Sequence, residues 1–405
     1  MPPQPGSSSS GSSSITLGDD VVRRFKPAKI FQKAVEVGPA PAPTGPQRPS
    51  HQGPKQITGI CFDDKGEFLI TAAEDETFRT YNCKTGKPLR TLYSKKYGVD
   101  LPRFTHKSSA IVYASTKEDD TIRYHSLHDN KYLQYFRGHK ARVISLEVSP
   151  VDDGFMSGSL DKTVRLWDLR SPTCRGLLSL PEPPVIAYDS SGMVFAVGVN
   201  HYSRIMLYDQ AHFDKAPFLT IELEDMYLAQ TSFPPRPIFM TSLSFSSNGK
   251  YILVGCSGNA HYIIDSFEGL VLARLEGHIG LERRSLNAPP DIEPARGISG
   301  EEVSWTPDSK YVIGGSLDGK VFVWSIQPLE SDPPPPGGAK PLLKRIHPIS
   351  NLEGQPTAPT RCVRFNPRLG MLATAGPELA FWLPDTSGDP EETAKNILLK
   401  KKNAS

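Results

Sequence analysis

Long hydrophobic runs are missing from this 405-residue sequence. No stretch approaches the roughly 18 consecutive apolar residues that a membrane-spanning helix needs. The start of the chain, residues 1–14, is rich in Pro, Ser and Gly and contains no apolar signal-peptide core. We therefore expect a protein that is neither secreted nor embedded in a membrane.

Cysteine is scarce and shows no pairing pattern. The five cysteines are Cys61, Cys83, Cys174, Cys256 and Cys362. They are odd in number and far apart, and none belongs to a CxxC pair, which argues against a disulfide framework and against a zinc site. A reducing compartment, the cytosol or the nucleus, fits this usage best.

Neither sign of charge is in excess. The chain has 46 Lys and Arg against 44 Asp and Glu, which leaves a net charge of +2. A nearly neutral protein has no overall field that would hold a polyanion. We therefore expect no direct binding of nucleic acid, although a local basic patch is compatible with this balance.

Sequence motifs for catalysis and cofactor binding are also missing. GxGxxG, GxxxxGK[ST], HExxH and GxSxG do not occur in the chain. The sequence therefore predicts no catalytic residue, no metal site and no cofactor. We expect a protein that is not an enzyme.

What the sequence does contain is one repeated pattern. An apolar strand, a polar turn and a second apolar strand ending in small residues lead to an Asp, and an alternating strand then closes on an aromatic residue. The clearest copy is 139–169, which begins with Gly138-His139 and closes on Trp167-Asp168. Seven copies can be counted, at 57–82, 99–126, 139–169, 185–209, 240–265, 301–325 and 360–383.

The repeat predicts the fold. Short alternating runs between turn residues are typical of antiparallel strands, and helical spacing is nearly absent. Asp75, Asp119 and Asp161 occupy equivalent positions 44 and 42 residues apart. A period of about 40 to 45 residues with this signature resembles the WD-repeat β-propeller. We predict an all-β, seven-bladed WD-repeat propeller.

Composition divides the chain around this propeller. We predict a disordered Ser- and Gly-rich start at 1–19, the propeller at 20–385, and a polar, Lys-containing tail at 386–405. Within the propeller, 38–54 contains six prolines and 327–358 contains the run PPPPGG. Both are predicted to be surface loops.

The seventh copy ends without an outer strand. Residues 26–31, KPAKIF, match the outer strand of the first copy, KPLRTLY, at 87–93. We therefore predict that 26–31 complete the seventh blade and close the ring. Two or three apolar side chains among Ala28, Ile30, Phe31 and their neighbours should be buried there.

Four polar residues of the third copy form a candidate site. His139, Ser159, Asp161 and Trp167 resemble the tetrad of a WD blade, in which an Asp holds a buried imidazole and the indole N–H meets a hydroxyl. His, Ser and Asp also compose hydrolase triads, but a nucleophile needs exposure and an oxyanion hole. Buried polar groups need only partners, so we predict a structural role.

A second set of residues is a candidate partner-binding rim. Lys95, Lys96 and Tyr97 lie between the outer strand of blade one and the inner strand of blade two, a connection that belongs to the top rim of a propeller. Arg142 and Lys162 occupy top-rim positions of blade three. Cations beside an aromatic ring suit an acidic or phosphorylated peptide. Ordinary solvated surface is the alternative.

Five stretches go beyond the generic repeat. They are TLYSKKYGVDL (91–101), DDTIRY (119–124), SLHDNKY (126–132), SGSLDKTVRLWDLRSP (157–172) and FWLP (381–384). They resemble the WD-repeat subunit called Swd-two in fungi, which the COMPASS histone methyltransferase complex shares with the cleavage and polyadenylation factor. Blades one to three carry most of this resemblance.

The resemblance implies a nuclear scaffold without catalytic activity. Its partners would be the catalytic subunit of a histone methyltransferase that modifies lysine four of histone three, subunits of the cleavage and polyadenylation factor, and RNA polymerase II phosphorylated on its C-terminal repeats. The implied processes are histone methylation, transcription termination and mRNA 3′-end processing. A WD-repeat adaptor in another pathway and a propeller enzyme are the alternatives.

Overall fold

Strands make up nearly all the regular structure. The computed structural model describes residues 16–36, 55–200, 202–231, 238–281, 300–331, 342–354 and 358–385. Within these ranges the strands form seven sheets, and each sheet is one blade of a ring. The predicted seven-bladed β-propeller is confirmed.

Blades one to three each consist of four consecutive strands. Blade one contains β2 (Ile57–Phe62), β3 (Phe68–Ala73), β4 (Thr77–Asn82) and β5 (Lys87–Tyr93). Blade two contains β6 (Asp100–Phe104), β7 (Ala110–Ala114), β8 (Ile122–Ser126) and β9 (Lys131–Phe136). Blade three contains β10 (Val143–Val148), β11 (Gly154–Ser159), β12 (Thr163–Asp168) and β13 (Ser171–Ser179).

Blades four to seven include short helices and one strand from the start of the chain. Blade four contains β14 (Pro184–Tyr188), β15 (Val194–Val199), β16 (Arg204–Asp209) and β17 (Leu219–Glu222). A 3-10 turn at Gln210–His212 lies between β16 and β17, and α2 at Met226–Thr231 follows β17.

Blade five contains β18 (Met240–Phe245), β19 (Tyr251–Cys256), β20 (Ala260–Asp265) and β21 (Val271–Glu276). Blade six contains β22 (Val303–Trp305), β23 (Tyr311–Gly315), β24 (Val321–Ser325) and β26 (Ser350–Leu352). Blade seven contains β27 (Cys362–Phe365), β28 (Leu372–Ala375), β29 (Leu379–Pro384) and β1 (Phe25–Phe31), and α1 (Asp19–Arg23) precedes β1.

The core lies between the blades. Seven hydrophobic clusters each join residues of two neighbouring blades. The second strands β11 and β19 are buried at every position, because both faces of a middle strand pack on neighbouring blades. The outer strands β5 and β9 are mostly exposed. Burial is therefore greatest in the second strands and falls towards the periphery of the blades.

The N-terminal strand closes the ring, as predicted. β1 pairs antiparallel with β29, from Phe25 opposite Pro384 to Phe31 opposite Leu379. Among the residues considered for burial, Ala28 and Ile30 lie on the exposed middle of this outer strand. Phe25 is buried instead, and the Phe31 ring centroid lies 4.7 Å from that of Tyr81 in blade one.

The prediction that 327–358 is a surface loop is wrong for the described part of that segment. It contains α3 (Gln327–Ser331), β25 (Lys344–Ile346) and β26. β26 is the outer strand of blade six, whereas β25 adds a fifth strand, parallel to β21, at the outer edge of blade five. Strands of three residues are too short to show an alternating pattern.

The structure does not describe three of the predicted segments. The predicted disordered start as far as residue 15, the loop 38–54 and the tail 386–405 all lie outside the described residues.

Candidate functional site

The polar residues of blade three form one continuous chain of hydrogen bonds. Trp167 Nε1–H donates to the Ser157 hydroxyl oxygen at 2.8 Å. That hydroxyl lies 2.7 Å from His139 Nε2, and His139 Nδ1 lies 3.0 Å from Asp161. Because the Trp donates to Ser157, the hydroxyl proton is free to go to Nε2, and Nδ1–H donates to the carboxylate. Every polar hydrogen of the chain thus has an acceptor.

The predicted serine of this tetrad is wrong. Ser157 contacts the His and the Trp, whereas Ser159 donates to Ala141 O at 2.8 Å and accepts from Asp161 N–H. The strand register explains the difference, because Trp167 pairs with Phe155 on the neighbouring strand. Ser157 is the next residue on the same face, and Ser159 is one further step of about 6 to 7 Å along the strand.

The tetrad is suited to holding the fold rather than to chemistry. Ser157 is buried, and the His139 side chain is only 1% exposed. Burial lowers the pKa of His139, although Asp161 opposes the shift, so the imidazole is neutral near neutral pH. Burial alone would raise the pKa of Asp161, but hydrogen bonds from Thr163, Lys140 and His139 lower it. No substrate atom can reach this serine.

Blades one and two meet the same structural need with arginine. Asp75 and Asp119 occupy the position of Asp161, but the residue 22 positions earlier, which is His139 in blade three, is Gly53 in blade one and Tyr97 in blade two. Arg79 lies 3.0 Å from Asp75, and Arg123 lies 2.9 Å from Asp119, in each case four residues further on. The sequence analysis missed these arginines, although the shared pattern Asp-x-Thr-x-Arg in blades one to three marks them.

The predicted rim residues share one face of the ring. In each antiparallel blade, the chain enters the first strand on the same side on which the second strand ends, and we call this side the top. Leu160 N–H donates to Arg142 O, and Lys117 N–H donates to Tyr97 O, so each inter-blade connection contacts the middle turn of its blade. Lys95, Lys96 and Lys162 have exposed side chains at this top rim.

Of the predicted rim residues, Arg142 is held in an ion pair and Tyr97 is covered by an arginine. Arg142 pairs with Asp100 at 2.8 Å and so links blade three to the inner strand of blade two, although its side chain is 50% exposed. The Arg123 guanidinium lies 3.7 Å from the centroid of the Tyr97 ring. The exposed cations of the rim are therefore the lysines, and Tyr97 belongs to a cluster on blade two.

The described ranges contain neither a cluster of metal ligands nor a membrane-spanning helix. Among those residues, no group of three or more His, Cys, Asp and Glu side chains is placed to hold a metal ion. None of the described helices is long and apolar enough to cross a membrane.

Comparison with known proteins first defines the class. The model of the WD domain, G-beta repeat, matches residues 46–82, 130–168 and 301–325. Together with the seven blades, this match makes the protein a WD-repeat β-propeller.

Individual relatives then define the family. WD repeat-containing protein 82 of Drosophila melanogaster is 42% identical over 91% of this chain and 98% of its own length. Set1 complex component swd2 of Schizosaccharomyces pombe is 35% identical over 81% of this chain and 92% of its own length. COMPASS component SWD2 of Saccharomyces cerevisiae is 32% identical over 92% of this chain and 99% of its own length. The chain belongs to the Swd-two family of WD-repeat proteins, as the sequence predicted.

Proposed function

We propose that this protein is a non-catalytic scaffold subunit of a nuclear COMPASS-type complex that methylates lysine four of histone three. The observation that carries the proposal is similarity over nearly the whole propeller to relatives named as a Set1 complex component and a COMPASS component. A buried tetrad and a rim of exposed lysines support binding rather than catalysis. The direct partner is the catalytic methyltransferase subunit.

We propose a second assembly for the same propeller. In it, the protein binds subunits of the cleavage and polyadenylation factor and serves transcription termination and mRNA 3′-end processing. In both assemblies it links the complex to RNA polymerase II phosphorylated on its C-terminal repeats. Support comes from the top rim, where Lys95, Lys96 and Lys162 are free to meet phosphate groups. The interaction body is the propeller, 20–385.

Co-purification tests both proposals. The full chain, affinity-tagged and expressed at its native level, is recovered from nuclear extract, and its partners are identified by mass spectrometry. We expect the methyltransferase subunit, cleavage and polyadenylation subunits and phosphorylated polymerase. Recovery of a different assembly without the methyltransferase would support the alternative, a WD-repeat adaptor in another pathway.

A further inference from the structure

The outer edge of blade two presents an unusual set of aromatic side chains. Tyr132 and Tyr135 on β9 are 36% and 37% exposed, and Leu133 between them is 50% exposed. The Tyr132 ring centroid lies 5.5 Å from that of Tyr135 and 6.1 Å from that of Tyr97. Large side chains that remain exposed side by side mark surfaces that bind partners.

Cations alternate with these rings. Lys96 Nζ lies 5.1 Å from the centroid of Tyr97, and Arg123 Cζ lies 3.7 Å from the same centroid. Arg123 also lies 5.7 Å from the centroid of Tyr135, and Arg137 lies 5.4 Å from that centroid. We call this series, Lys96, Tyr97, Arg123, Tyr135 and Arg137, the blade-two ladder.

The middle and the ends of the ladder differ in charge balance. Arg123 is buried and held by both carboxylate oxygens of Asp119, at 2.9 and 3.0 Å, so it is rigid and neutralised. Lys96 and Arg137 are exposed, and neither forms an ion pair with a described carboxylate. The ladder therefore presents two uncompensated positive charges at the ends of an aromatic surface.

The backbone beside the ladder is also unpaired. β9 is the last strand in the sheet order of blade two, and among the described strands none pairs with its outer edge. Half of the backbone groups of such an edge strand point away from the sheet and can pair with another chain. Blade five shows that this fold accepts such an addition, because β25 pairs with its outer strand β21.

We propose that β9 binds an extended acidic segment of a partner protein by strand addition. The backbone of that segment pairs with the free edge of β9, and its carboxylates meet Lys96 and Arg137. A single-stranded nucleic acid is disfavoured, because base stacking needs open aromatic faces and the rings of Tyr97 and Tyr135 each already carry two cations. This inference goes beyond the proposed function and does not depend on which complex contains the protein.

The outer edges of blades one and five differ from that of blade two. On blade one, the Tyr93 hydroxyl donates to the Glu36 carboxylate at 2.7 Å, so an acid already occupies that surface. On blade five, β25 covers the edge, and its Arg345 pairs with Glu276 at 2.7 Å. The free edge and the uncompensated cations coincide at blade two.

The test uses the full chain and a short fluorescein-labelled peptide of alternating Glu and Val, with binding followed by fluorescence anisotropy. We expect saturable binding that weakens as salt is added and that becomes about tenfold weaker in Lys96→Glu/Arg137→Glu. Lys96→Arg/Arg137→Lys should retain binding. Lys250→Glu/Lys310→Glu, which makes the same charge change on exposed lysines of blades five and six, should leave it unchanged.

Hydrogen exchange locates the peptide. Backbone amides of β9 should become protected when the Glu-Val peptide binds, and those of β21 should not. The proposal is overturned by absent peptide binding, by equal binding in Lys96→Glu/Arg137→Glu, by protection confined to another blade, or by an oligouridylate binding the ladder when the peptide does not. Melting temperatures equal to wild type show that each variant is folded.

Discussion

At the scale of single residues, the aspartate at one position of the repeat is used in two ways. Asp161 holds a neutral imidazole, whereas Asp75 and Asp119 hold the guanidinium group four residues further on. Arg165 is also present four residues after Asp161, yet Asp161 Oδ2 lies 3.0 Å from the imidazole of His139. The imidazole of His139 thus takes the place that a guanidinium group has in blades one and two.

Replacing Asp161 tests the tetrad of blade three. Asp161→Ala removes the acceptor for His139 Nδ1–H, for the Lys140 N–H and for the Thr163 hydroxyl. We expect a loss of about 1 to 3 kcal/mol in the free energy of unfolding, because buried donors lose their partners. Denaturant unfolding measures this loss, and Asp153→Ala, at an exposed position of the same blade, is the control.

Partner capture by Asp161→Ala should decline only as folding does. An unchanged melting temperature together with lost partner binding would place Asp161 at an interface instead.

A second buried pair predicts sensitivity to acid. His261 and His278 stack with centroids 4.3 Å apart. Cys256 N–H donates to His261 Nδ1, which therefore carries no proton, and His278 Nε2–H donates to Gly258 O. The other nitrogen of each ring has no partner among the described residues. Burial lowers the pKa of both, to about 4 for His278 and well below 6.5 for His261.

The sign of the pH effect follows from these pKa values. Between about pH 6.5 and pH 4 the unfolded chain binds a proton at His278 that the folded chain does not, so stability is lost as pH falls. By pH 4, His278 lowers the free energy of unfolding by an amount on the order of 3 kcal/mol.

Urea unfolding at several pH values should show a shallower pH dependence of the free energy of unfolding for His278→Phe. Lys250→Gln, at an exposed position of the same blade as His261, should match wild type. An unaltered slope in His278→Phe would contradict this assignment.

At the scale of elements, the N-terminal strand is predicted to be essential for the ring. Deleting 1–37 removes β1 together with Phe25 and Phe31, whose rings contact Phe365, Tyr81 and Phe381. Burial of two aromatic side chains contributes on the order of 3 to 6 kcal/mol, comparable with the net stability of a domain. We expect aggregated or unfolded protein by size-exclusion chromatography and circular dichroism.

Deleting only 1–14 is the control for this truncation, and it should change little. A stable monomer lacking 1–37 would contradict the closure of the ring by β1.

Elements with a strong repeating pattern were predictable, and those formed by context were not. The seven copies and the closing strand could be read from alternation and from the match between 26–31 and 87–93. β25 and β26 are three-residue strands set by their neighbours, so no local pattern predicts them. The choice of Ser157 over Ser159 depends on the register between β11 and β12, which a single strand does not encode.

At the scale of the whole molecule, the ring separates stability from binding. The seven clusters between neighbouring blades hold the fold together, and the top rim and outer edges are left to meet partners. A net charge of +2 produces no strong overall electrostatic potential around the protein. We therefore propose that local charge at the rim is what an acidic partner recognises.

Charge reversal tests whether the lysines of the top rim bind a partner. Reversal of Arg142 is unsuitable as a test, because a Glu there would face Asp100 and disturb the link between blades two and three. Lys95→Glu/Lys96→Glu/Lys162→Glu changes only exposed side chains. Each lysine contributes about 0.2 to 1 kcal/mol, so the three must be reversed together.

We expect this triple variant to capture less methyltransferase and less phosphorylated polymerase from nuclear extract, while its circular dichroism spectrum and melting temperature stay at wild-type values. The matched control is Lys65→Glu/Lys250→Glu/Lys310→Glu, which changes the same charge at exposed lysines in the turns between first and second strands, on the opposite face. If the rim variant recovers every partner at wild-type levels across a salt series, the binding face lies elsewhere. Loss of capture in the bottom-face control alone would move it to the opposite side of the ring.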